Sequence, residues 1–277
     1  MTHRQILDEG TKMLSHAGID EASNDAWVLF EEAFKMNRTR YFMCSNEEAD
    51  CVCADAYREL LKRRSLREPL QYITGRAYFM GLEFKVNQTV LIPRYDTEIL
   101  VEEALKHITD GCSILDVCTG SGCIAVSLGV LGKNCSVTGL DISKDALLTA
   151  ESNRLLNRAD NVKFIESDMF QNVSGQYDII VSNPPYIRSS EVDVLMPEVL
   201  KHEPRLALDG FEDGLHFYRI LAGQSRNFLK EKGLLIMEIG YDQADDVSLL
   251  LQNNNFTDIR VLRDLAGLDR VVCGRRK

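Results

Sequence analysis

The chain has 277 residues, 45% of them hydrophobic, enough for one large domain and a smaller one. Its net charge of −10 and pI near 5.1 argue against a duplex nucleic acid as the main partner, because proteins that clamp a phosphate backbone ordinarily present a basic surface. No apolar run approaches the ~20 residues that span a bilayer, and Met1-Thr2-His3-Arg4-Gln5 leads into an amphipathic pattern rather than an apolar signal core. Cysteines stand at 44, 51, 53, 112, 118, 123, 135 and 273, with neither a CxxC pair nor a Cys/His zinc spacing. Reduced thiols, a cytoplasmic compartment and no metal site are expected.

Residues 1–75 are expected to form a small helical bundle. Ile6, Met13, Leu14 and Ala17 share one helical face, and Gly18 ends that helix. A second helix runs from about Glu21 to Lys35 with Ala22, Ala26, Leu29 and Phe30 on its apolar face. A third is expected to start near Ser45, which has capping-box spacing to Glu48, and to continue through Cys53, Tyr57, Leu61 and Arg64. Nothing in this stretch has catalytic spacing, so a partner-recognition role is expected. Arg63, Arg64, Arg67 and Arg76 read as a solvated face or a local basic patch.

Glu68 to Gly75 stops the helical pattern. Residues 76–93 are expected to be a β-hairpin linker, since Tyr78 to Val86 alternates around Gly81. Leu91-Ile92-Pro93-Arg94 ends it, and Tyr95-Asp96-Thr97-Glu98 opens a helix with acidic residues in its first turn. Arg94 either aims a cation at a substrate or cofactor or forms a surface ion pair with a nearby carboxylate.

Residues 94–277 read as an α/β unit. Ser113 to Cys118 is an apolar strand, Thr119-Gly120-Ser121-Gly122 a tight turn and Cys123 to Leu131 a helix. Small residues in such a turn let a ligand approach the backbone. The turn lacks the GxxxxGK[ST] pattern of a phosphate loop. The next strand, Cys135 to Asp141, ends in an acid about 20 residues past the turn, where a carboxylate bonds ribose hydroxyls in Rossmann-type sites. Capping the helix from Ser143 to Asn157 is the other role open to Asp141. A third strand, Val162 to Glu166, runs into Ser167-Asp168-Met169-Phe170. There Asp168 either bonds an adenine amine, with Met169 or Phe170 covering the ring, or is a turn residue.

The fourth strand, Tyr177 to Ser182, delivers Asn183-Pro184-Pro185-Tyr186 to a strand end, the edge at which open α/β sheets bind ligands. Two successive prolines stiffen the backbone and remove two N–H donors, leaving carbonyls free to accept. Asn183 adds an amide, and Tyr186 a flat ring. The tetrapeptide is a rigid socket that suits a planar NH₂ group, as in a carboxamide or a base amine. Beyond it come a helix or lid from Ser189 to Leu200, a loop from His202 to Gly210 and a helix from Leu215 to Lys230. A strand from Leu234 to Ile239, a helix from Gln243 to Asn253 and two strands, Asp258 to Arg263 and Arg270 to Gly274, follow. Too few residues separate the last two for a helical crossover, so they pair antiparallel. The expected sheet has seven strands and is mostly parallel.

An acid-ended second strand with Asn-Pro-Pro-Tyr after the fourth resembles a class I S-adenosylmethionine-dependent methyltransferase of the amino-methylating kind. Glu68-Pro69-Leu70-Gln71-Tyr72-Ile73-Thr74-Gly75, Leu91-Ile92-Pro93-Arg94 and Glu203-Pro204-Arg205-Leu206-Ala207-Leu208 narrow the resemblance to the HemK/PrmC family, the peptide chain release factor N5-glutamine methyltransferases. This resemblance implies methyl transfer from S-adenosyl-L-methionine to the glutamine side-chain amide of a Gly-Gly-Gln tripeptide in a release factor. The cofactor is expected at Cys118, Thr119, Gly120, Ser121, Gly122, Asp141, Asp168, Met169 and Asn183. The substrate is expected at Asn183, Pro184, Pro185, Tyr186 and Arg94, with Asn183, Pro184 and Tyr186 catalytic. The sequence departs from the family pattern at Cys118, which stands where the loop's first glycine usually is, at Tyr95-Asp96, and at Phe211. Two other readings stand beside this one: an adenine-N6 methyltransferase acting on DNA or RNA, and a non-catalytic S-adenosylmethionine-binding interaction protein.

Overall fold

The computed structural model describes residues 1–277, which divide into two compact units: Met1–Gly75 with Met196–His202, and Arg76–Leu195 with Glu203–Lys277.

The first unit is helical. Helix α1 (His3–His16) begins with a capping box in which the Thr2 hydroxyl accepts from the Gln5 N–H and the Gln5 side chain accepts from the Thr2 N–H. Helices α2 (Ala22–Phe34), α3 (Arg38–Cys44) and α4 (Cys51–Ser65) follow. Ile6, Leu14, Ala26, Leu29, Phe30, Tyr57 and Leu61 form their shared core. Gly10 is a poor helix former in mid-helix, yet a Cβ there would lie 2.0 Å from the Tyr57 hydroxyl. Its absence lets α1 close on α4, while the Tyr57 hydroxyl donates to the Ala26 carbonyl at 3.1 Å.

Three expectations for this unit need correction. Ser45 ends α3 rather than starting a helix, and Asp50 caps α4 by accepting from the Cys53 N–H at 3.0 Å. Aspartate is as good a cap as serine, and Ser45 is buried. Leu70–Thr74 continues as one helical turn closed by Gly75 in the left-handed region. The arginine cluster is not a free basic patch. Arg64 is buried, with Nε on Asp25 at 2.7 Å and Nη1 on Glu198 at 3.2 Å; Arg67 also meets Glu198, and Arg63 meets Glu68. These pairs neutralise the cations locally.

The second unit opens with the hairpin β1 (Arg76–Phe79) and β2 (Leu82–Lys85). It packs as part of this unit instead of standing apart as a linker. Phe79 and Phe84 are fully buried in the core with Leu100, Ile124 and Val126, each ring contributing about 2–3 kcal/mol. Asn153 clasps the Lys85 backbone, its carbonyl accepting from the N–H at 2.7 Å and its amide donating to the C=O at 3.0 Å.

After helix α5 (Glu98–Leu105) come β3 (Ser113–Val117), α6 (Cys123–Leu131), β4 (Ser136–Asp141), α7 (Lys144–Leu156), β5 (Val162–Glu166) and β6 (Tyr177–Ser182). Helix α8 (His216–Phe228), β7 (Leu229–Glu238), α9 (Ala244–Asn253), β8 (Phe256–Arg263) and β9 (Asp269–Arg276) complete the unit. The stretch expected as one helix or lid, Ser189 to Leu200, is two short helices, Ser189–Val192 and Pro197–His202, and the second belongs to the helical unit.

The seven strands lie in the order β5-β4-β3-β6-β7-β9-β8, with only the pairs to β9 antiparallel. From β3 the chain winds outward through β4 and β5, then returns to place β6 on the other side of β3. The order therefore reverses between β3 and β6, and the crevice at that reversal, beyond the strands' carboxyl ends, is where such sheets bind ligands. Register sets what stands there. Val117 is paired with Leu140 and with Ser182, and Ser182 with Met237. The next residue on each strand therefore forms one row: Asp141, Cys118, Asn183 and Glu238.

Candidate active site

The crevice is a cleft of about 490 Å³, within the size range of small-molecule sites. Its floor is the turn after β3. Gly122, in the left-handed region at φ 78°, packs so tightly that a Cβ would sit 3.0 Å from Ala150 and Phe164. Cys118 adopts the same region at φ 62°, a conformation costly for a residue with a side chain, and its Sγ rests 4.0 Å from Met169 Sδ.

Two acids hold this turn. Asp141 accepts from the Gly120 N–H through one oxygen and from the Ser143 N–H through the other, both at 2.9 Å. It thus ties the turn to the start of α7. Burial raises its carboxyl pKa, against those backbone donors. Asp116, fully buried below the turn, accepts from the Thr119 hydroxyl at 2.5 Å and the Ala125 N–H at 3.2 Å, and its second oxygen has no partner. Burial pushes the Asp116 carboxyl up to about 7. A carboxyl raised on folding adds stability that is full below its unfolded value, 3.8, and is lost as pH rises through about 7. Thermal melts should show wild type losing stability relative to Asp116→Asn between about pH 4 and 7. A constant difference across that range would mean that Asp116 stays ionised.

Across the cleft, Asn183 is half-buried and its Nδ2 donates to the Thr97 hydroxyl at 3.2 Å. That leaves the side-chain oxygen as the acceptor available on the cleft side. Arg94 lines the cleft and donates through Nη2 to both oxygens of the buried Glu203, at 2.6 and 2.8 Å. Burial pushes the Glu203 carboxyl up while Arg94 pulls it down. Of the two roles open to Arg94, the ion pair is present. Asp168 is exposed at the cleft edge, where its carboxylate accepts from Gln171 at 2.9 Å.

Of the residues singled out by sequence, Cys118, Thr119, Gly120, Ser121, Asp141, Asp168, Met169, Asn183, Pro185 and Arg94 line the cleft. Gly122, Pro184 and Tyr186 do not. Gly122 is spent on packing. Pro184 is buried, and Tyr186 is held behind the cleft wall by its hydroxyl on Glu238 at 3.3 Å and by its carbonyl, which accepts from Gln243 at 3.0 Å. Among the lining residues that went unassigned are Thr97, which pairs with Asn183, Ile142, an apolar wall next to Asp141, and Phe211, whose ring lies tilted against those of His216 and Phe217. Their available signals were position only: Thr97 lies three residues past Arg94, and Ile142 directly follows the strand-end acid.

Residues 5–75 match the PrmC N-terminal domain and residues 95–210 the Methyltransferase small domain. The chain is 40% identical to the release factor glutamine methyltransferase of Fusobacterium nucleatum over 98% of this chain and 78% of that one. It is 41% identical to the enzyme of the same name from Clostridium acetobutylicum over 100% and 99%. The chain belongs to the release factor glutamine methyltransferase family. Among solved structures, a methyltransferase from Pyrococcus furiosus superposes with a TM-score of 0.55 over 71% of this chain and 90% of that one, at 15% identity. That likeness establishes the shared sheet and no more. Cys118, where the sequence resemblance led to the expectation of a glycine, keeps a backbone conformation that suits glycine.

Proposed function

We propose that this chain methylates the side-chain amide nitrogen of the glutamine in the Gly-Gly-Gln tripeptide of peptide chain release factors, using S-adenosyl-L-methionine. The observation that carries the reading is the pairing of Asn183 with Thr97, which leaves an acceptor oxygen at a cleft floored by a glycine turn and an acid. The close similarity to relatives bearing that activity in their names supports the substrate.

The cleft's donor set fits the cofactor. The backbone at Gly120 is open on its Cβ side, with no atom within 4 Å, and Asp141 retains lone pairs beyond its two backbone bonds. Ile142 and Met169 give apolar cover, and Asp168 an exposed acceptor at the edge. Cys118, Thr119, Gly120, Ser121, Asp141, Asp168 and Met169 would hold the nucleoside and amino-acid parts. Bound S-adenosyl-L-methionine supplies an electrophilic methyl on its sulfonium.

An amide nitrogen is a weak nucleophile because its lone pair is delocalised into the carbonyl. The Asn183 side-chain oxygen, the acceptor on the cleft side, takes one of its N–H bonds in this reading. It aims the nitrogen at the methyl and offsets the positive charge that develops on it. No strong base is required beforehand, since a proton leaves to water after the N–C bond has formed. Tyr186 is placed to brace this corner from behind, and Arg94, fixed by Glu203, shapes the cleft wall. The helical unit would engage the release factor. No helix is long and apolar enough to cross a membrane, and the proposed setting is the cytoplasm.

A methyl-labelled transfer assay offering a release factor, duplex DNA and RNA side by side tests this function. Label on the release factor alone is expected. Label on nucleic acid, weakened by added salt, would instead make the chain an adenine-amine methyltransferase.

A further inference from the structure

Phe211 carries a ring where backbone and solvation both disfavour one. Its φ is 70°, in the left-handed region that penalises any residue with a Cβ. It is 52% exposed, and it lines the cleft. Tyr186, expected to supply a flat face, stands behind the cleft wall; the aromatic surface of the cleft comes from Phe211, His216 and Phe217 instead.

The loop that bears Phe211 is zipped to the segment that follows Pro185. Ile187 donates its N–H to the Leu208 carbonyl at 3.0 Å, Gly210 donates to the Ile187 carbonyl at 2.8 Å, and Ser189 donates to the carbonyl of Phe211 itself at 3.0 Å. Gly210 lies so close to Tyr186 that a Cβ there would come within 2.8 Å of its backbone. Gln243 joins the two segments again, donating to the carbonyls of Tyr186 at 3.0 Å and Gly214 at 3.4 Å. The Phe211 N–H ends on the Asp209 carboxylate at 3.0 Å, and the same oxygen accepts from the Ser189 hydroxyl at 2.6 Å. The ring itself rests tilted against His216, with centroids 4.4 Å apart, and against Phe217 at 5.9 Å. A flat apolar face is thus fixed to the stretch of chain that presents Asn183.

We propose that Phe211 is a specificity-determining residue: its ring is the surface on which the peptide plane beside the target glutamine lies, and it selects glycine as the residue before that glutamine. The proposal rests on the Gly-Gly-Gln substrate reading and deepens it. A peptide plane next to glycine has no Cβ in the way and can lie flat on an aromatic ring. One methyl on the neighbouring Cα would hold the plane off. The glutamine would be carried away with it, and a shift of about 1 Å at a reacting atom can cost about 100-fold in rate.

The test measures kcat/KM for wild type, Phe211→Gly and Phe211→Tyr on two acceptors: an intact release factor, and one in which the glycine before the glutamine is replaced by alanine. Calorimetry with S-adenosylhomocysteine and thermal melts accompany each variant. Wild type should prefer the intact acceptor by ~100-fold or more, and Phe211→Gly should narrow that ratio to ~10-fold or less. Phe211→Tyr, which keeps the ring, should keep the wild-type ratio. Phe211→Gly should bind S-adenosylhomocysteine within ~2-fold of wild type. Its melting temperature should stay within ~2 °C, since glycine suits this φ. A ratio unmoved by Phe211→Gly overturns the proposal. So does a fall of ~10-fold or more in S-adenosylhomocysteine affinity, which would assign the ring to the cofactor. Equal losses on both acceptors with a lowered melting temperature would make Phe211 a packing residue and overturn it too. Wild type that labels neither acceptor fails the substrate reading, and the proposal with it; wild type that labels the intact acceptor while Phe211→Gly leaves the ratio unchanged fails the proposal alone.

Discussion

Asn183→Ala should lower turnover by about 100-fold or more while changing affinity for S-adenosyl-L-methionine by no more than about two-fold. The asymmetry follows from where charge appears. In the ground state the target amide is neutral, and its bond to the Asn183 oxygen replaces one to water at little net gain. As the methyl moves to nitrogen, positive charge gathers on the N–H groups, and an acceptor already aimed at them gains strength without reorganising. Thr97 does the aiming, since it holds the other end of the Asn183 amide. Removing the side chain takes away an interaction made chiefly in the transition state. Single-turnover rates with saturating release factor, set beside calorimetric cofactor binding, read the two quantities separately. Equal losses in both would make Asn183 a cofactor ligand that happens to stand near the reaction.

Asp141→Ala has the opposite profile: cofactor affinity should fall about 100-fold or more, with turnover at saturation far less affected. Two losses combine. One is the hydrogen bond that a cofactor hydroxyl would donate to this partly desolvated carboxylate, among the stronger hydrogen bonds available to a protein. The other is the brace on the turn, because the Gly120 and Ser143 N–H groups both end on this side chain. Asp141→Asn keeps one acceptor oxygen but can meet only one of those two backbone donors, and should fall between wild type and alanine. Calorimetry with S-adenosylhomocysteine, which cannot react, measures the series. An asparagine variant that binds as wild type does would show that the charge is unimportant and the brace incidental.

Much of this site was readable in the sequence because its parts sit where chain periodicity changes. Apolar runs followed by Thr119-Gly120-Ser121-Gly122, Asp141 and Asn183-Pro184 mark strand ends, and strand ends of a parallel sheet are brought together by register. The seven strands and the antiparallel carboxyl-terminal pair were legible for the same reason. The misses share a different cause. Asp50 and Ser45 are interchangeable as caps on chemistry alone, and tertiary packing chose between them. Tyr186 had the makings of a stacking face, but its hydroxyl found a buried partner 52 residues away. No local pattern announces such a pairing. Glu238 and Asp116 did leave a trace, each a single acid in an apolar run, Leu234 to Ile239 and Ile114 to Val117. A buried strand tolerates such a residue only where something requires it. The hairpin's place in the α/β unit rests on Phe79 and Phe84, whose burial depends on residues far along the chain.

The most direct test of the central claim is a crystal structure of this protein with S-adenosylhomocysteine and a release factor. The glutamine amide nitrogen is expected within about 3 Å of the Asn183 side-chain oxygen. Its free face should be turned to the cofactor sulfur. A glutamine bound elsewhere, or an Asn183 amide whose oxygen is engaged by Thr97 while its NH₂ faces the substrate, would contradict it.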